Sequence, residues 1–434
     1  MGQMYIDRLE AFFDKHPDVP KEVIVKEDLL RQGINFTANA VRNGGEFREK
    51  TYFLFTYDKT LRSELHDEHP FTVPEDLRLR GGPYKLLDTT VHVYHNTESP
   101  YTVDFVEGKR QLLLNGKTVS EVIFPKRPPY YGMKFDDGTT YDSVVALVQD
   151  HVAFLTAYRV CQYFFTNEQC KFCDINMNLK QMTKYKDKFG HQDAIRDPNK
   201  AAQAIETMVK CDDQELKIRA IYMTSGSIIK PVKGKNELEF SLEYVTKVRD
   251  RIGGAVPFIL ITQAHEKKDV KTLKDSGVTV YNPNIEIWDK KVFEAICPGK
   301  AKNIGRDVWL RRMIDSVDVF GEGNVSPNLV TGAEMAQPYG FKTISQGVKS
   351  NRQGFEFMMS HGVIPHLDSW CIEKESLLGG HPPIALEFFI EIDKLWFEIW
   401  NKYKLPAVTG YGPMGGPGRA YYGNSGHVDM GFVG

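Results

Sequence analysis

Three cysteines lie close together in the middle of the chain, at Cys161, Cys170 and Cys173, in the pattern C-x8-C-x2-C. The aromatic residue Phe172 directly precedes the last of them. Cysteine thiolates bind zinc ions and iron-sulfur clusters, and a set of only three leaves one metal position open. The spacing therefore indicates a metal centre with room for a further ligand, which is where chemistry can take place.

A structural zinc site is the alternative interpretation, and it requires a fourth protein ligand. That ligand would be distant, such as His191 or Cys211, and neither belongs to a second C-x2-C pair. Cys297 and Cys371 are isolated in the sequence, and no evenly spaced cysteine framework is present. This cysteine usage predicts a reducing, cytoplasmic environment.

The segments around the cysteines alternate between short apolar strands and longer amphipathic helices. The predicted strands cover residues 152–160, 218–224, 256–262, 278–286, 324–331 and 362–368. The predicted helices lie near residues 199–211, 236–252, 267–276, 304–320, 346–360 and 383–403. Six successive strand-helix units predict an α/β fold with parallel strands, a partial (β/α)6 barrel like a TIM barrel. Functional groups of barrels gather at the C-terminal ends of strands, and the cysteines directly follow the first strand.

The regions outside this barrel, which spans residues 141–403, have a different character. Residues 1–30 predict a helical arm, and residues 31–140 predict an antiparallel, β-rich accessory domain with a strand at 51–57 and no residue that looks catalytic. Residues 404–434 are rich in glycine and proline and predict an irregular tail, or a lid over the barrel mouth.

Composition limits the classes of partner. The 434 residues are long enough for a large core, and 55 basic against 57 acidic side chains give a net charge of -2. Bulk charge therefore does not favour a nucleic-acid partner. No apolar run approaches the ~18 residues that a membrane span requires, and the N-terminus lacks a secretion signal. The chain is expected to be an ordinary globular protein without a membrane segment.

In these features the chain resembles the radical S-adenosylmethionine superfamily, and most of all its biotin-synthase-like branch. The resemblance covers residues 150 to 370 and includes the three-cysteine loop after the first barrel strand and the aromatic Phe172. It implies a [4Fe-4S] cluster on Cys161, Cys170 and Cys173, whose free iron binds S-adenosylmethionine. One-electron reduction then produces a 5'-deoxyadenosyl radical, which abstracts hydrogen from the substrate. The commonest loop in the family is C-x3-C-x2-C, so the first interval is five residues longer here.

The resemblance also implies residues that hold S-adenosylmethionine. At the end of the second strand, the position of the family's Gly-Gly-Glu motif is occupied by a turn without an acidic residue, Thr224, Ser225, Gly226 and Ser227. Alternation along a strand places Asn282, Asn284 and Glu286 on one face. Asn284 and Glu286 match the two ribose-contacting residues of the family's Tyr-Asn-x-Asn-x-Asp strand.

The fifth strand and the flanks of the barrel supply further candidates. Leu329, or its neighbour Val330, corresponds to the family's adenine contact, and an arginine among Arg306, Arg311 and Arg312 is a candidate for the carboxylate of S-adenosylmethionine. At the other strand ends, the residues expected to face substrate are Gln263, His265, His366, Asp368 and Cys371. His366 and Asp368 suit proton transfer, and Cys371 suits hydrogen donation or a second cluster.

The expected partners are a small-molecule substrate and, by resemblance, a flavodoxin- or ferredoxin-type electron donor. Two other hypotheses remain open. The first is a zinc-dependent barrel enzyme such as a hydrolase or lyase, and the second is a non-catalytic iron-sulfur scaffold. Iron content and cleavage of S-adenosylmethionine distinguish the three.

Overall fold

The computed structural model describes residues 2–61, 72–184, 192–407, 409–410 and 422–431. The N-terminal part of the described chain carries helices α1 (Gly2–Lys15), α2 (Lys21–Gln32) and α3 (Ala38–Arg42). Its strands are β1 (Asn35–Phe36), β2 (Asp76–Gly81), β3 (Leu86–His92), β4 (Tyr101–Val106), β5 (Lys109–Leu114) and β6 (Lys117–Ile123). They form one sheet in the order β1-β4-β5-β6-β2-β3, in which β1 and β4 are parallel and the other pairs antiparallel.

The predicted strand at residues 51–57 is wrong. This segment has no regular structure, because Tyr52 and Tyr57 adopt positive φ angles of 53° and 47°, which an extended strand does not allow. The segment instead leaves the sheet and runs toward the second half of the molecule.

The second part alternates strands and helices. Its strands are β7 (Ala146–Val148), β8 (Val152–Tyr158), β9 (Ala220–Ser225), β10 (Phe258–Thr262), β11 (Val280–Pro283), β12 (Asn328–Thr331) and β13 (His366–Ser369). Its helices are α4 (Ile175–Lys184), α5 (Pro198–Val209), α6 (Glu237–Ile252), α7 (Lys267–Asp275), α8 (Lys290–Ile296), α9 (Pro298–Asn303), α10 (Arg306–Phe320), α11 (Ile344–Ser360) and α12 (Leu386–Tyr403).

Strands β8 to β11 pair in parallel in chain order, with β7 antiparallel at the outer edge, and β12 and β13 form a separate parallel pair. Two isolated parallel bridges, Tyr281 with Val325 and Glu286 with Leu329, connect the two sets. The predicted α/β class with parallel strands is confirmed. The fourth strand ends at Pro283, earlier than predicted, because Glu286 has a φ of 69° and so leaves the extended conformation.

Helix α12 packs against both parts of the protein. Leu386 and Ile390 belong to the apolar core beneath the N-terminal sheet, whereas Phe388 and Trp396 belong to the core of the second part. A helix that is apolar on opposite faces is buried on both of them. In the described part of the chain, no helix has the length and apolar character needed to cross a bilayer.

Two segments without strands or α-helices lie beside β8 and β13. In the N-terminal segment, residues 52–58, the carbonyl of Phe53 accepts a hydrogen bond from Thr156 on β8 at 2.6 Å. In the C-terminal segment, residues 422–431, the carbonyl of Asn424 accepts from the backbone of Ser369 on β13 at 2.8 Å. The first and last parallel strands are therefore covered by residues from near the two ends of the chain.

Candidate functional site

A cavity of about 210 Å³ is lined by residues from both parts of the protein. The three predicted metal ligands, Cys161, Cys170 and Cys173, all lie on its wall, together with Phe172. Each cysteine is partly accessible from the cavity. The structure thus brings the cysteines to one ligand-sized space at the C-terminal end of β8, as the sequence predicted.

The spacing of the three sulfurs fits an iron-sulfur cluster better than a single metal ion. Among the described residues, the three ligand atoms that all lie within 4.8 Å of one another belong to His16, Glu387 and Glu391, so at least one pair of the three cysteine sulfurs is more than 4.8 Å apart. Thiolates on one tetrahedral zinc lie only ~3.8 Å apart, because each Zn–S bond is ~2.3 Å long. A cluster distributes its three ligands over different irons and accommodates the wider spacing.

The thiols lie in an environment that opposes free thiolates. Burial, followed by the neighbouring Cys170, raises the pKa of Cys161 to about 11, and burial raises the pKa of Cys173 well above its ordinary value. A metal centre compensates for this cost, because it binds and neutralises the thiolate form. His191, the alternative zinc ligand, lies outside the described residues, and Cys211 does not line the cavity.

Cys297 is isolated in the sequence but not in space. It is fully buried at the end of α8, where its thiol is hydrogen-bonded to that of Cys170, and burial and this neighbour raise its pKa. A fourth sulfur therefore lies beside the candidate cluster.

The long interval between the first two cysteines has a defined structure. Residues Gln162–Thr166 form a 3-10 helix, and Asn167 follows in the left-handed conformation with a φ of 56°. The loop then packs against α9, where the backbone of Gly299 donates to the carbonyl of Glu168 at 2.9 Å. A Cβ on Gly299 would lie 2.4 Å from the Tyr163 ring. The extra residues thus connect the cysteine loop to a later strand-helix unit.

The predicted turn after the second strand lies on the cavity wall, as Thr224, Ser225, Gly226 and Ser227 all line it. Gly226 packs so tightly that a Cβ would lie 2.4 Å from backbone atoms of Val160 and Cys161. The carbonyl of Ser227 accepts from the backbone of Gln162 at 3.0 Å. The turn therefore fixes the start of the cysteine loop.

An acidic residue that the sequence reasoning missed lies beside this turn. Glu237, at the start of α6, lines the cavity and accepts hydrogen bonds from Thr262 at 2.9 Å and Gln263 at 3.1 Å. Burial opposes ionisation, but hydrogen bonding and the charge of His265 lower the pKa of Glu237 below its ordinary value. Glu237 thus supplies an anion where the predicted turn has none. The only sequence signal was the capping pair Asn236 and Glu239, which marks the helix start.

Asn284 and Glu286 line the cavity as predicted, but they occur in a loop after β11. A second missed residue, Lys300 on α9, donates to the carbonyl of Asn284 at 2.7 Å and to Glu286 Oε1 at 2.5 Å. Asn282 is fully buried and does not line the cavity, so the predicted common face of three polar residues is wrong. The alternation ends because the strand does.

The fifth and sixth strands place the remaining candidates. Leu329 is buried in the core, whereas Asn328 and Val330 on either side of it line the cavity, so the expected contact shifts by one residue. Asp368 and Cys371 also line the cavity, and the thiol of Cys371 donates to the carbonyl of Leu30 at 3.2 Å. His366 is buried away from the cavity, 3.3 Å from His427, and burial lowers its pKa to about 3.

The three predicted arginines do not reach the cavity. Arg306 donates to the carbonyl of Trp288 at 2.6 Å, and Arg311 and Arg312 pair with Glu266. His265 also lies outside the lining, although it is 3.4 Å from Glu237, whereas Gln263 lies on the wall.

A second part of the cavity lining, here called the second wall, was not expected from the sequence. Phe53, Leu54, Phe55 and Tyr57 of the N-terminal segment line the cavity, although no residue of this region looked functional. The backbone of Tyr57 donates to Glu373 at 2.9 Å, and Thr56 donates to Asp174, which follows the last cysteine. Tyr422 and Asn424 of the C-terminal segment complete this wall. The predicted lid residues 411–419 lie outside the described residues.

Comparison with known proteins gives one curated relative. The chain is 20% identical over 288 residues to bacteriochlorophyllide c C-7(1)-hydroxylase from Chlorobaculum limnaeum, covering 62% of this chain and 65% of that protein. The chain therefore spans a little under two thirds of the length of this relative. No protein-family model matches.

Two solved structures share weak similarity with the chain. Methylornithine synthase is 12% identical with a TM-score of 0.41, over 62% of this chain and 71% of that one. The [FeFe]-hydrogenase maturase HydG from Carboxydothermus hydrogenoformans is 14% identical with a TM-score of 0.36, over 60% and 54%. The sequence identities do not exceed 20% and the TM-scores lie below 0.5, so the superfamily, the enzyme class and the cofactors stay predictions from the sequence. The individual site residues stay predictions.

Proposed function

We propose that this chain is a radical S-adenosylmethionine enzyme that acts on a small molecule. A [4Fe-4S] cluster reductively cleaves S-adenosylmethionine, and the 5'-deoxyadenosyl radical so formed abstracts hydrogen from the substrate. The observation that carries the proposal is the set of three cysteines that line one cavity together with aromatic side chains and whose sulfurs are not all within 4.8 Å of one another. We infer that β8 to β13 form the partial barrel around this cavity.

The residues that line the cavity near the cysteines suit S-adenosylmethionine. Cys161, Cys170 and Cys173 hold the cluster. The Thr224 to Ser227 turn and the ionised Glu237 bind the methionine part, because a carboxylate attracts its protonated amino group. Asn284 and Glu286 approach the ribose, and Lys300 holds Glu286 in place through the 2.5 Å ion pair. Val330, rather than Leu329, contacts the adenine.

The three residues proposed as catalytic have different environments. Asp368 lies on the wall and contacts substrate. Cys371 lines the cavity, and its thiol donates a hydrogen bond to the carbonyl of Leu30. For the proposed hydrogen donation to the substrate, the thiol must first break this hydrogen bond. His366 supports the site from outside the cavity, where it stacks on Tyr422 with ring centroids 4.5 Å apart. We propose a flavodoxin or ferredoxin as the electron donor.

The test is anaerobic reconstitution followed by reaction with dithionite and S-adenosylmethionine. The wild-type protein should bind about four irons and release 5'-deoxyadenosine and methionine, measured by chromatography and mass spectrometry. Cys173→Ala should lose both cluster and cleavage. The matched control is Cys211→Ala, since Cys211 does not line the cavity, and it should retain both.

A colourless protein with one zinc would support the zinc-enzyme hypothesis instead. An iron-loaded protein that never cleaves S-adenosylmethionine would support the scaffold hypothesis. Turnover that survives Cys173→Ala would show that the metal assignment is wrong.

A further inference from the structure

One corner of the cavity is built around the carboxylate of Asp368. Its Oδ1 accepts from the Tyr422 hydroxyl at 2.5 Å and from Asn424 Nδ2 at 3.2 Å, and its Oδ2 accepts from Asn328 Nδ2 at 2.7 Å. All four side chains line the cavity. We refer to Asp368, Asn328, Asn424 and Tyr422 as the acidic corner.

The acidic corner contains an anion without a cationic partner in the described part of the chain. No lysine, arginine or histidine nitrogen there lies within 4.0 Å of the Asp368 carboxylate, and its three hydrogen-bond donors are neutral. Glu286, which also lines the cavity, differs because it is paired with Lys300. A charge in a mostly apolar enclosure is costly unless it is paired. Consistent with this cost, burial raises the pKa of Asp368.

The corner also has unused acceptors. Because Asn328 and Asn424 direct their Nδ2 groups at Asp368, their Oδ1 atoms are free to accept, and both are buried without a hydrogen-bond partner among the described residues. One carboxylate and two unpartnered amide oxygens concentrate acceptors and negative charge in the same corner. This set complements a group that carries several N–H donors and a positive charge.

Several aromatic side chains line the same cavity as the acidic corner. Phe53 and Phe154 are in contact at a centroid distance of 4.5 Å, and Phe154 stacks on Tyr222 at 5.9 Å. Trp370 lies two residues after Asp368 on the same wall. Aromatic faces accommodate apolar groups and also attract cations.

We propose that the acidic corner binds a protonated amine of the substrate, with Asp368 as its counter-ion and the Asn328 and Asn424 oxygens as additional acceptors. The apolar part of the substrate then lies against Phe53, Phe154 and Tyr222. This inference rests on the proposed function and deepens it, because it identifies the substrate as an amine with an apolar body.

The test compares matched probes in which a hydroxyl replaces the ammonium group on the same apolar body. Benzylamine and 2-phenylethylamine are titrated into the reconstituted, unreduced protein alongside benzyl alcohol and 2-phenylethanol, and binding is followed by ligand-observed NMR and calorimetry. Each amine should bind at least tenfold more tightly than its alcohol. Asp368→Asn should remove that preference. The control Asp318→Asn, at an exposed carboxylate paired with Lys267, should leave it intact.

Equal binding of amine and alcohol, or no binding of either amine, overturns the proposal on the wild-type protein alone, even if Asp368→Asn does not fold. An amine preference that survives in folded Asp368→Asn also overturns it. The measurement needs no reduction of the cluster and no cleavage of S-adenosylmethionine. Failure of the amine site and failure of the proposed function are therefore distinguishable.

Discussion

The two walls of the cavity are built in different ways. The cysteine wall uses consecutive strand-helix units, from the end of β8 through the Gly226 turn to Lys300 on α9. The second wall combines Phe53 to Tyr57 and Tyr422 to Asn424, which are separated by most of the chain. The cysteine wall follows from a repeating local pattern, whereas the second wall depends on segments that no local pattern connects. We therefore expect the cysteine wall to determine cofactor binding and the second wall to determine substrate choice.

The largest expected effect tests the tight packing of the cysteine wall. Gly226→Ala places a methyl group 2.4 Å from the backbone of Val160 and Cys161, which cannot move without displacing Cys161, the proposed metal ligand. We expect the variant to lose most of the iron that the wild-type protein binds after reconstitution. Its free energy of unfolding should fall by about 3 kcal/mol. Iron analysis and chemical denaturation measure the two effects.

The control is Gly254→Ala, just after α6, where an added Cβ meets no atom within 4 Å. It should retain full iron binding and unfold within about 0.5 kcal/mol of the wild type. Normal iron loading of Gly226→Ala would show that the cysteine wall accommodates the added methyl group. The expectation that tight packing of this wall determines cofactor binding would then be wrong.

A smaller effect is expected at Glu237. Glu237→Gln keeps the shape and the hydrogen bonds to Thr262 but removes the negative charge that faces the cavity. We expect the Kd for S-adenosylmethionine to rise about tenfold, or about 1.4 kcal/mol. Equilibrium dialysis of the reconstituted protein measures it. Asp250→Asn, at an exposed position on the same helix, is the control and should leave the Kd unchanged. An unchanged Kd for Glu237→Gln would show that Glu237 does not take the role of the acidic residue that the Thr224 to Ser227 turn lacks.

The smallest effect tests how the two walls are joined. Thr56 on the N-terminal segment donates to Asp174, and burial raises the pKa of this carboxyl to about 7. Thr56→Val leaves Asp174 with one donor fewer, so the free energy of unfolding should fall by about 1–2 kcal/mol while iron binding persists. Thr272→Val, at an exposed helix position, is the control. Loss of iron in Thr56→Val would show that the second wall also supports the proposed metal centre.

Much of the cysteine wall was predictable from the sequence. The C-x8-C-x2-C spacing identified Cys161, Cys170 and Cys173, and the strand-helix rhythm placed them at a strand end, where the structure has them. Asn284 and Glu286 were found by likeness to a strand motif. Leu329 was one residue away from the cavity, because a short strand does not reveal in its sequence which of its faces points inward.

The remainder depends on contacts that the sequence does not mark. Phe53 to Tyr57 have strand-like composition, yet positive φ angles at Tyr52 and Tyr57 turn them out of the sheet. Lys300 follows Pro298 at the start of α9. In the sequence, nothing distinguishes it from an ordinary surface lysine. Its role appears only where α9 packs against the loop after β11 and places its Nζ beside Glu286.

The contacts of the C-terminal segment have a consequence for how the protein folds. The backbone of Gly426 donates to Glu27 at 2.5 Å, and Lys26 bonds Asp429 at 3.0 Å, pairs that lie 399 and 403 residues apart. Contacts between such distant residues form slowly, because a very long loop closes first. The cysteine loop contacts α9, and α9 precedes the C-terminal segment in the chain. We therefore expect the metal-binding half to take shape during synthesis, before the segment that completes the substrate pocket has left the ribosome.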